Sequence, residues 1–371
     1  MPPPTAPTTE QESRQTKTPL VTVVIPAYNA ARYIAATLSS VLSQTFRDFE
    51  VIVVNDGSPD TVDLERALDP FISSIRYIKQ PNGGPSSARN AGIRQAFGKY
   101  IAFLDSDDLW RPEHLENLTA ALRNDASLGL IYSNGVHIVN DRPFGIAFDR
   151  TPQKEPITFE SLVREESTVG TSGTVADRQA LMDAGLFDET LRRCEDYDLW
   201  LRMAHNGVRM TFTRKVQIFH RLANGLAADS DQMKSARLKV VEKMDGLTNL
   251  TDSQRAVVQH RIRKLKFDLE FNRAKRFLLN ESFPEARKAA REAAKAAPNW
   301  RLGLLQTGMY LFPHVLLRAY RAHLTRVANR KRLEQLRFAQ NLGDLATVDF
   351  SPSATSAATV AVPPELSAKA P

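Results

Sequence analysis

In "YIAFLDSDDLW", residues 100–110, an apolar run stops against Asp105, Asp107 and Asp108. Successive side chains of a β-strand face opposite sides, so Asp105 and Asp107 share a side and Ser106 takes the other. Carboxylates converging at one strand tip repel each other unless a cation stands between them, and a hard divalent ion carrying phosphates suits such an oxygen set. Asp107 or Asp108 also suits the cap of a helix beginning near Arg111-Pro112, but a cap needs one acid, not three. Asp56-Gly57-Ser58 has the composition of a turn, and a carboxylate there also suits the N–H groups of a nucleotide base. In "NGGPSSARN", residues 82–90, Gly83 and Gly84 allow close approach of backbone to a ligand, and Arg89 offers a fixed fork for phosphate or base oxygens. A plain Gly-rich connector explains the same stretch. No Gly-Lys-Ser/Thr follows it, so it is not a P-loop, and the chain lacks the G-x-G-x-x-G dinucleotide turn.

These groups need elements to position them. From Leu20, "LVTVVIPAYNA" reads as a β-branched strand entering a polar turn, and the helical "ARYIAATLSSVLSQ" follows. The strand "FEVIVVNDGSPD", a helix from about Thr61 to Leu68, the strand "IRYIKQ" and the acid-tipped strand continue the alternation. That spacing predicts a parallel sheet covered on both faces, with ligands outside the carboxyl ends of its strands. Pro26–Asn29, Asp56–Ser58 and Asp105–Asp108 all fall at such ends and are expected to face one crevice.

In this order, "VTVVIPAYNA", "VIVVNDGSPD", "NGGPSSARNAGI" and "GKYIAFLDSDDLW" resemble the successive signatures of family 2 glycosyltransferases. With "GLFDETLRRCEDYDLWLRMA" the resemblance covers roughly Leu20 to Leu226. It implies an α/β fold of the GT-A, Rossmann-like type, with a mostly parallel central sheet and helices on both faces; beyond Leu226, where glycine and proline are scarce and helix formers dominate, the chain reads as an all-helical C-terminal extension. The resemblance further implies that the nucleotide of an activated, usually UDP-linked, sugar lies across the crevice. Pro26, Ala27, Tyr28, Asn29, Asp56, Gly84, Arg89, Asp105 and Ser106 would bind the nucleotide sugar, with Ala27, Tyr28 and Asp56 holding the base, Arg89 on the same side and Asp105 meeting the ribose. Asp107 with Asp108 would coordinate Mg²⁺ or Mn²⁺ on the diphosphate. An acceptor hydroxyl needs a base to take its proton, and the resemblance points to Asp196 with Glu195 beside it. Glu195, Asp196 and Asp198 are also the acids expected in a first helical turn, where the macrodipole favours them. Trp200 is expected either to pack on the sheet or to line the acceptor side, together with Gly173 of "TSGTVADRQALMDAG". His220 suits the diphosphate or metal, or a structural place at a strand end. One base, one metal and no second nucleophile imply direct, inverting displacement.

The chain has 371 residues, enough for two or more domains, a hydrophobic fraction of 42% and a formal charge of +7. The single cysteine, Cys194, excludes an intramolecular disulfide and makes no zinc pattern, which suits a reducing compartment. Residues 1–18 read as a disordered leader without the apolar core of a signal peptide, and 341–371 as a disordered tail. Between them the expected units are the catalytic domain over 19–226, a helical extension over 227–299 with one tetratricopeptide-like hairpin, and a basic amphipathic segment over 300–340. Its apolar part, Leu302–Leu317, is shorter than the ~20 residues a spanning helix needs, and Pro313 interrupts it. Arg318, Arg321, Arg326, Arg330, Lys331, Arg332 and Arg337 follow. Residues 300–337 therefore suit an anionic membrane surface, or a last helix pair buried on the protein. No nucleic-acid module surrounds this charge, and nucleic acid is not an expected partner.

The expected protein is thus a metal-dependent, hexosyltransferase-like enzyme, cytoplasmic or peripheral on the cytoplasmic membrane face. It would move a sugar from a nucleotide-diphosphate donor to a hydroxyl of a glycan or lipid-linked acceptor in cell-envelope or exopolysaccharide biosynthesis. A sugar-nucleotide nucleotidyltransferase would share the sheet and acids but present a Gly-rich, basic phosphate loop where this chain has "PAYNA". A non-catalytic nucleotide-sugar binding module would not require Asp196.

Overall fold

The computed structural model describes residues 18–151, 153–222, 230–297 and 300–340. The expected leader up to residue 17, the tail 341–371 and the domain boundary at 226 lie outside the described residues.

One sheet of nine strands organises the first half. Its strands are β1 (Val21–Ala27), β2 (Phe49–Asp56), β3 (Arg76–Gln80), β4 (Tyr100–Phe103), β5 (Leu109–Trp110), β6 (Leu128–Val139), β7 (Arg142–Ile146), β8 (Thr174–Asp177) and β9 (Arg209–Arg221). The helices between them are α1 (Ile34–Leu42), α2 (Thr61–Leu68), α3 (Pro85–Gln95), α4 (His114–Asn124), α5 (Ala147–Arg150), α6 (Phe159–Val163), α7 (Arg178–Asp183) and α8 (Glu195–His205). The strand order is β3-β2-β1-β4-β8-β6-β9-β5, with β7 paired to β6. The block β3-β2-β1-β4 is parallel, as the strand–helix alternation requires. Beyond it the sheet is mixed: β8 runs antiparallel to β4 and β6, β9 parallel to β6, and β5 antiparallel to β9.

The period-two rule is visible in the core. Val24, Ile101 and Phe103 join the apolar cluster on one face, while Val21, Val23, Ile25, Tyr100 and Ala102 join the cluster on the other. The second cluster holds Ile34 and Leu38 of α1 and Leu115 and Leu118 of α4; the first holds Ile93 of α3 and Leu199 and Trp200 of α8. The order reverses beside β1, whose neighbours β2 and β4 lie on either side of it. A crevice opens at such a reversal, outside the carboxyl ends of the strands.

Five helices follow: α9 (Ser230–Asp245), α10 (Asp252–Leu279), α11 (Phe283–Ala296), α12 (Trp300–Leu311) and α13 (Pro313–Gln340). Val240, Val241 and Met244 of α9 and Val258, Ile262 and Leu265 of α10 are buried in the same cluster as Trp200. Arg237 and Arg261 grip Glu165 at 3.2 and 2.5 Å, fixing both helices to the loop after α6. α11 folds back on α10 through Ala286, Ala289 and Ala290 against Ala274 and Leu278. The apolar segment over Leu302–Leu317 divides between α12 and α13 at Pro313, and among the described residues no helix is long and apolar enough to cross a membrane.

Candidate functional site

β1 ends at Ala27, which is buried, and delivers Tyr28, 48% exposed, to the crevice. The next residue, Asn29, is left-handed at φ 52° and donates its N–H to Ser58 Oγ at 2.8 Å, so the tips of β1 and β2 are tied together. Asp56 ends β2 and is 3% exposed. Its Oδ1 accepts from Gln80 Nε2 and the Gly83 N–H at 2.7 and 2.9 Å, and its Oδ2 from the Gly84 N–H at 2.7 Å. A carboxylate oxygen accepts two hydrogen bonds, so Oδ2 keeps room for one further donor. Gly57, at φ +61°, lets this loop come close: a Cβ there would stand 2.6 Å from Asn82 N. Gly84, at φ 85°, then opens α3 with Pro85 as its first residue.

Arg89 lies one turn into α3 and is 5% exposed. Its guanidinium meets Asp105 Oδ1 at 2.7 Å and Glu195 Oε1 at 2.9 Å, and lies 5.4 Å from the centre of the Phe187 ring. The fork expected to hold donor oxygens is therefore engaged by two carboxylates. A short turn, Thr171–Gly173, makes a second link. Ser172 Oγ accepts the Asp105 N–H at 2.9 Å, while Thr171 Oγ1 donates to Asp196 Oδ2 at 3.1 Å. Asp105, and Glu195 with Asp196 some ninety residues further along the chain, thus share one small network. Burial, and then the charge of Asp196, raise the Glu195 carboxyl above its ordinary value against the pull of Arg89. Asp198 belongs elsewhere: fully buried, it pairs with Arg202 and Lys243 at 2.7 and 2.8 Å and ties α8 to α9.

Asp107 faces a cavity of about 440 Å³ shared with Arg32, Tyr33, Asp141 and Arg221. Burial first, then the charges of Asp108 and Asp105, push its carboxyl up to about 7. Asp108, by contrast, is 3% exposed; its Oδ2 meets His220 Nδ1 at 2.9 Å and its Oδ1 accepts the Arg221 N–H at 2.8 Å. Burial alone would depress His220, but Asp108, with the charges of Asp105 and Asp107, outweighs it and raises the imidazole. Ser106 contributes its carbonyl, which with that of Asp108 accepts from Thr37 Oγ1 at 2.9 Å and pins the acid loop to α1. Among the described residues no three His, Cys, Asp or Glu side chains form a complete metal cage. The set does fit an ion held by one or two carboxylates and completed by substrate phosphates, because a buried anion crowded by like charges gains most from a cation.

Of the residues expected on the acceptor side, Gly173 is buried, and a Cβ there would press on Ser133 Oγ at 2.9 Å. Trp200 is 1% exposed, packed with Phe103 and Phe187, yet it also borders a cavity of about 110 Å³ lined by Leu162, Val169, Asp196, Tyr197 and Arg237. Its Nε1 has no hydrogen-bond partner. Sequence reasoning missed Arg32, Tyr33 and Asp141. Arg221 and Arg32 flank the Tyr33 ring at 4.9 and 5.1 Å. The one available signal for Asp141 was Asn140-Asp141, left-handed at φ 50° and 57° between β6 and β7, a hairpin dipeptide.

Residues 22–182 match the model of Glycosyl transferase family 2. An uncharacterised glycosyltransferase of Rickettsia bellii is 35% identical over 202 residues, 52% of this chain and 29% of that protein. The hyaluronan synthase of Pasteurella multocida is 32% identical over 200 residues, 53% of this chain and 20% of that protein. The chain thus spans less than a third of the length of either relative. Among solved structures, Staphylococcus aureus TarS 1–349 in complex with UDP-GlcNAc superposes with a TM-score of 0.55 at 22% identity, over 77% of this chain and 83% of that one. The Pyrobaculum calidifontis mannosyltransferase PcManGT, in complex with GDP-Man and Mn²⁺, gives 0.52 at 20% identity over 86% and 89%. At these identities the structures establish likeness of fold.

Proposed function

From the match of residues 22–182 to the Glycosyl transferase family 2 model and the likeness of fold to TarS and PcManGT, we propose that the chain is a family 2 glycosyltransferase that transfers a sugar, with inversion, from a UDP-linked donor to a hydroxyl of a glycan or lipid-linked acceptor in the building of an envelope or exopolysaccharide. The observation that carries this reading is the network joining Asp105 and Glu195 through Arg89 and Asp105 and Asp196 through Thr171-Ser172. The hyaluronan synthase relative and the UDP-GlcNAc and GDP-Man complexes of the structural neighbours support the substrate class.

In this scheme the base lies over Tyr28 and gives an N–H to the remaining site on Asp56 Oδ2, while Asp105 meets the ribose. Asp107 would hold Mg²⁺ or Mn²⁺, which would neutralise charge on the departing diphosphate; Asp108 fixes His220 through its Oδ2. Asp196 takes the acceptor proton, and Glu195, anchored by Arg89, orients the acceptor. The catalytic unit is 19–226, the helices of 227–299 brace it, and 300–337 rest on an anionic membrane at the cytoplasmic face.

The test is a panel of UDP- and GDP-sugars with Mn²⁺, read by thermal stabilisation, donor hydrolysis and transfer. A UDP-sugar is expected to stabilise the protein, and Asp196→Asn to retain donor affinity within about twofold while losing transfer by at least about a hundredfold. Full transfer by Asp196→Asn, or no response to any nucleotide sugar, refutes the proposal.

A further inference from the structure

Tyr310, Leu311 and Phe312, at the α12–α13 junction, and Val315, in the first turn of α13, are 72%, 57%, 62% and 66% exposed. The large apolar side chains exposed over the catalytic half, such as Val62, Ile72 and Phe97, stand apart from one another along the chain, which is ordinary for a soluble surface. Four within six positions at a helix break are not. The apolar surface continues inward, because the neighbouring Met309 and Leu316 line a cavity of about 180 Å³ with Phe271, Leu278 and Tyr320.

Along the chain the charge of this segment has one sign. From Trp300 to Leu333 the chain has no Asp or Glu. Arg318, Arg321, Arg326 and Arg330 of α13 are all exposed. Of these, Arg321 also reaches Glu281 at 3.1 Å. A second copy of the same face would bring arginines against arginines, and a nucleic acid would meet the arginines while leaving the apolar turn in water. An anionic bilayer satisfies both features, with apolar groups entering the acyl boundary and arginines among the headgroups.

We propose that the α12–α13 turn is a membrane-docking edge in which Tyr310, Leu311, Phe312 and Val315 insert into an anionic bilayer and the α13 arginines hold its headgroups. This deepens the proposed membrane contact of 300–337 and rests on it; it is independent of the catalytic assignment.

Flotation of the full chain with vesicles of phosphatidylcholine containing about a third phosphatidylglycerol tests it, with phosphatidylcholine alone as the control. The chain is expected to float with the anionic vesicles only, less so at high salt. Leu311→Asp with Phe312→Asp is expected to weaken binding by about tenfold or more, and Arg318→Glu with Arg326→Glu likewise, with thermal unfolding and transfer to a soluble acceptor unchanged. In Phe312→Trp the emission is expected to shift to the blue on binding and to be quenched by acyl-brominated lipid. Failure of the full chain to float would overturn the membrane contact and this inference together. Flotation undiminished in the Leu311/Phe312 variant, or an unquenched Phe312→Trp, overturns insertion while sparing the electrostatic contact. Lipid-free self-association or RNA binding abolished by the same substitutions, without flotation, overturns it in favour of that partner.

Discussion

Asp107 and Asp108 are neighbours in sequence and opposites in circumstance. Asp108 is committed on both oxygens to His220 and Arg221, whereas Asp107 is raised to about 7 from an ordinary 3.8 by burial and by the charges of Asp108 and Asp105. The native chain therefore binds more protons than the unfolded one between those values, and this group makes stability fall as pH rises through that window. A divalent cation would reverse the penalty. Manganese is expected to raise the melting temperature more at pH 8 than at pH 6, with affinity dropping about tenfold for each unit below 7 as the proton competes. Asp107→Asn is expected to abolish both the manganese shift and its pH dependence; a shift that survives in that variant removes Asp107 from the cation site. Arg89 shows the same dependence on company. Its fork bridges Asp105 and Glu195, so its contribution is to hold two acids of one sign near each other.

At the scale of elements, loops do the positioning and strands only aim them. The Asn82–Gly84 loop is fixed by Asp56, and its approach to the β2 tip requires that Gly57 lack a side chain and hold φ +61°. Gly57→Ala is expected to cost about 1–3 kcal/mol in chemical denaturation and to weaken donor binding more than it slows transfer at saturating donor. Unchanged donor affinity would show that this loop does not line the donor site. The Thr171–Gly173 turn has the complementary part, since it touches Asp105 with one hydroxyl and Asp196 with another. Helix α8 enters from a left-handed Cys194 at φ 59°, placing three acids in its first turn. Two of them serve the crevice and the third, Asp198, serves packing.

At the scale of the whole molecule, α9 and α10 complete the core of the nine-stranded sheet. Met244 and Val258 are fully buried in the cluster that contains Trp200, so these helices and the sheet are expected to unfold together. Met244→Ala is expected to destabilise by about 2–5 kcal/mol and to lower a single transition seen alike by far-ultraviolet circular dichroism and by donor binding. Two separated transitions would show the helices to be an independent unit.

Much of this was legible in the chain. Alternating β-branched runs and helical stretches determined β1 to β4, α1 to α3 and the crevice at their ends, because period and turn chemistry are local. The break at Pro313 and the helices α10 and α11 followed from composition for the same reason. The antiparallel strands β6, β7 and β8 were not read, since their pairing depends on partners far away in sequence. Nor were the engagement of Arg89 by two carboxylates, the division of labour between Asp107 and Asp108, or the joining of Arg32, Tyr33, Asp141 and Arg221 around one cavity. A residue's type states which bonds it is able to make. Only tertiary packing, by choosing which charges are buried side by side, decides which of those bonds are already made and which remain for a ligand.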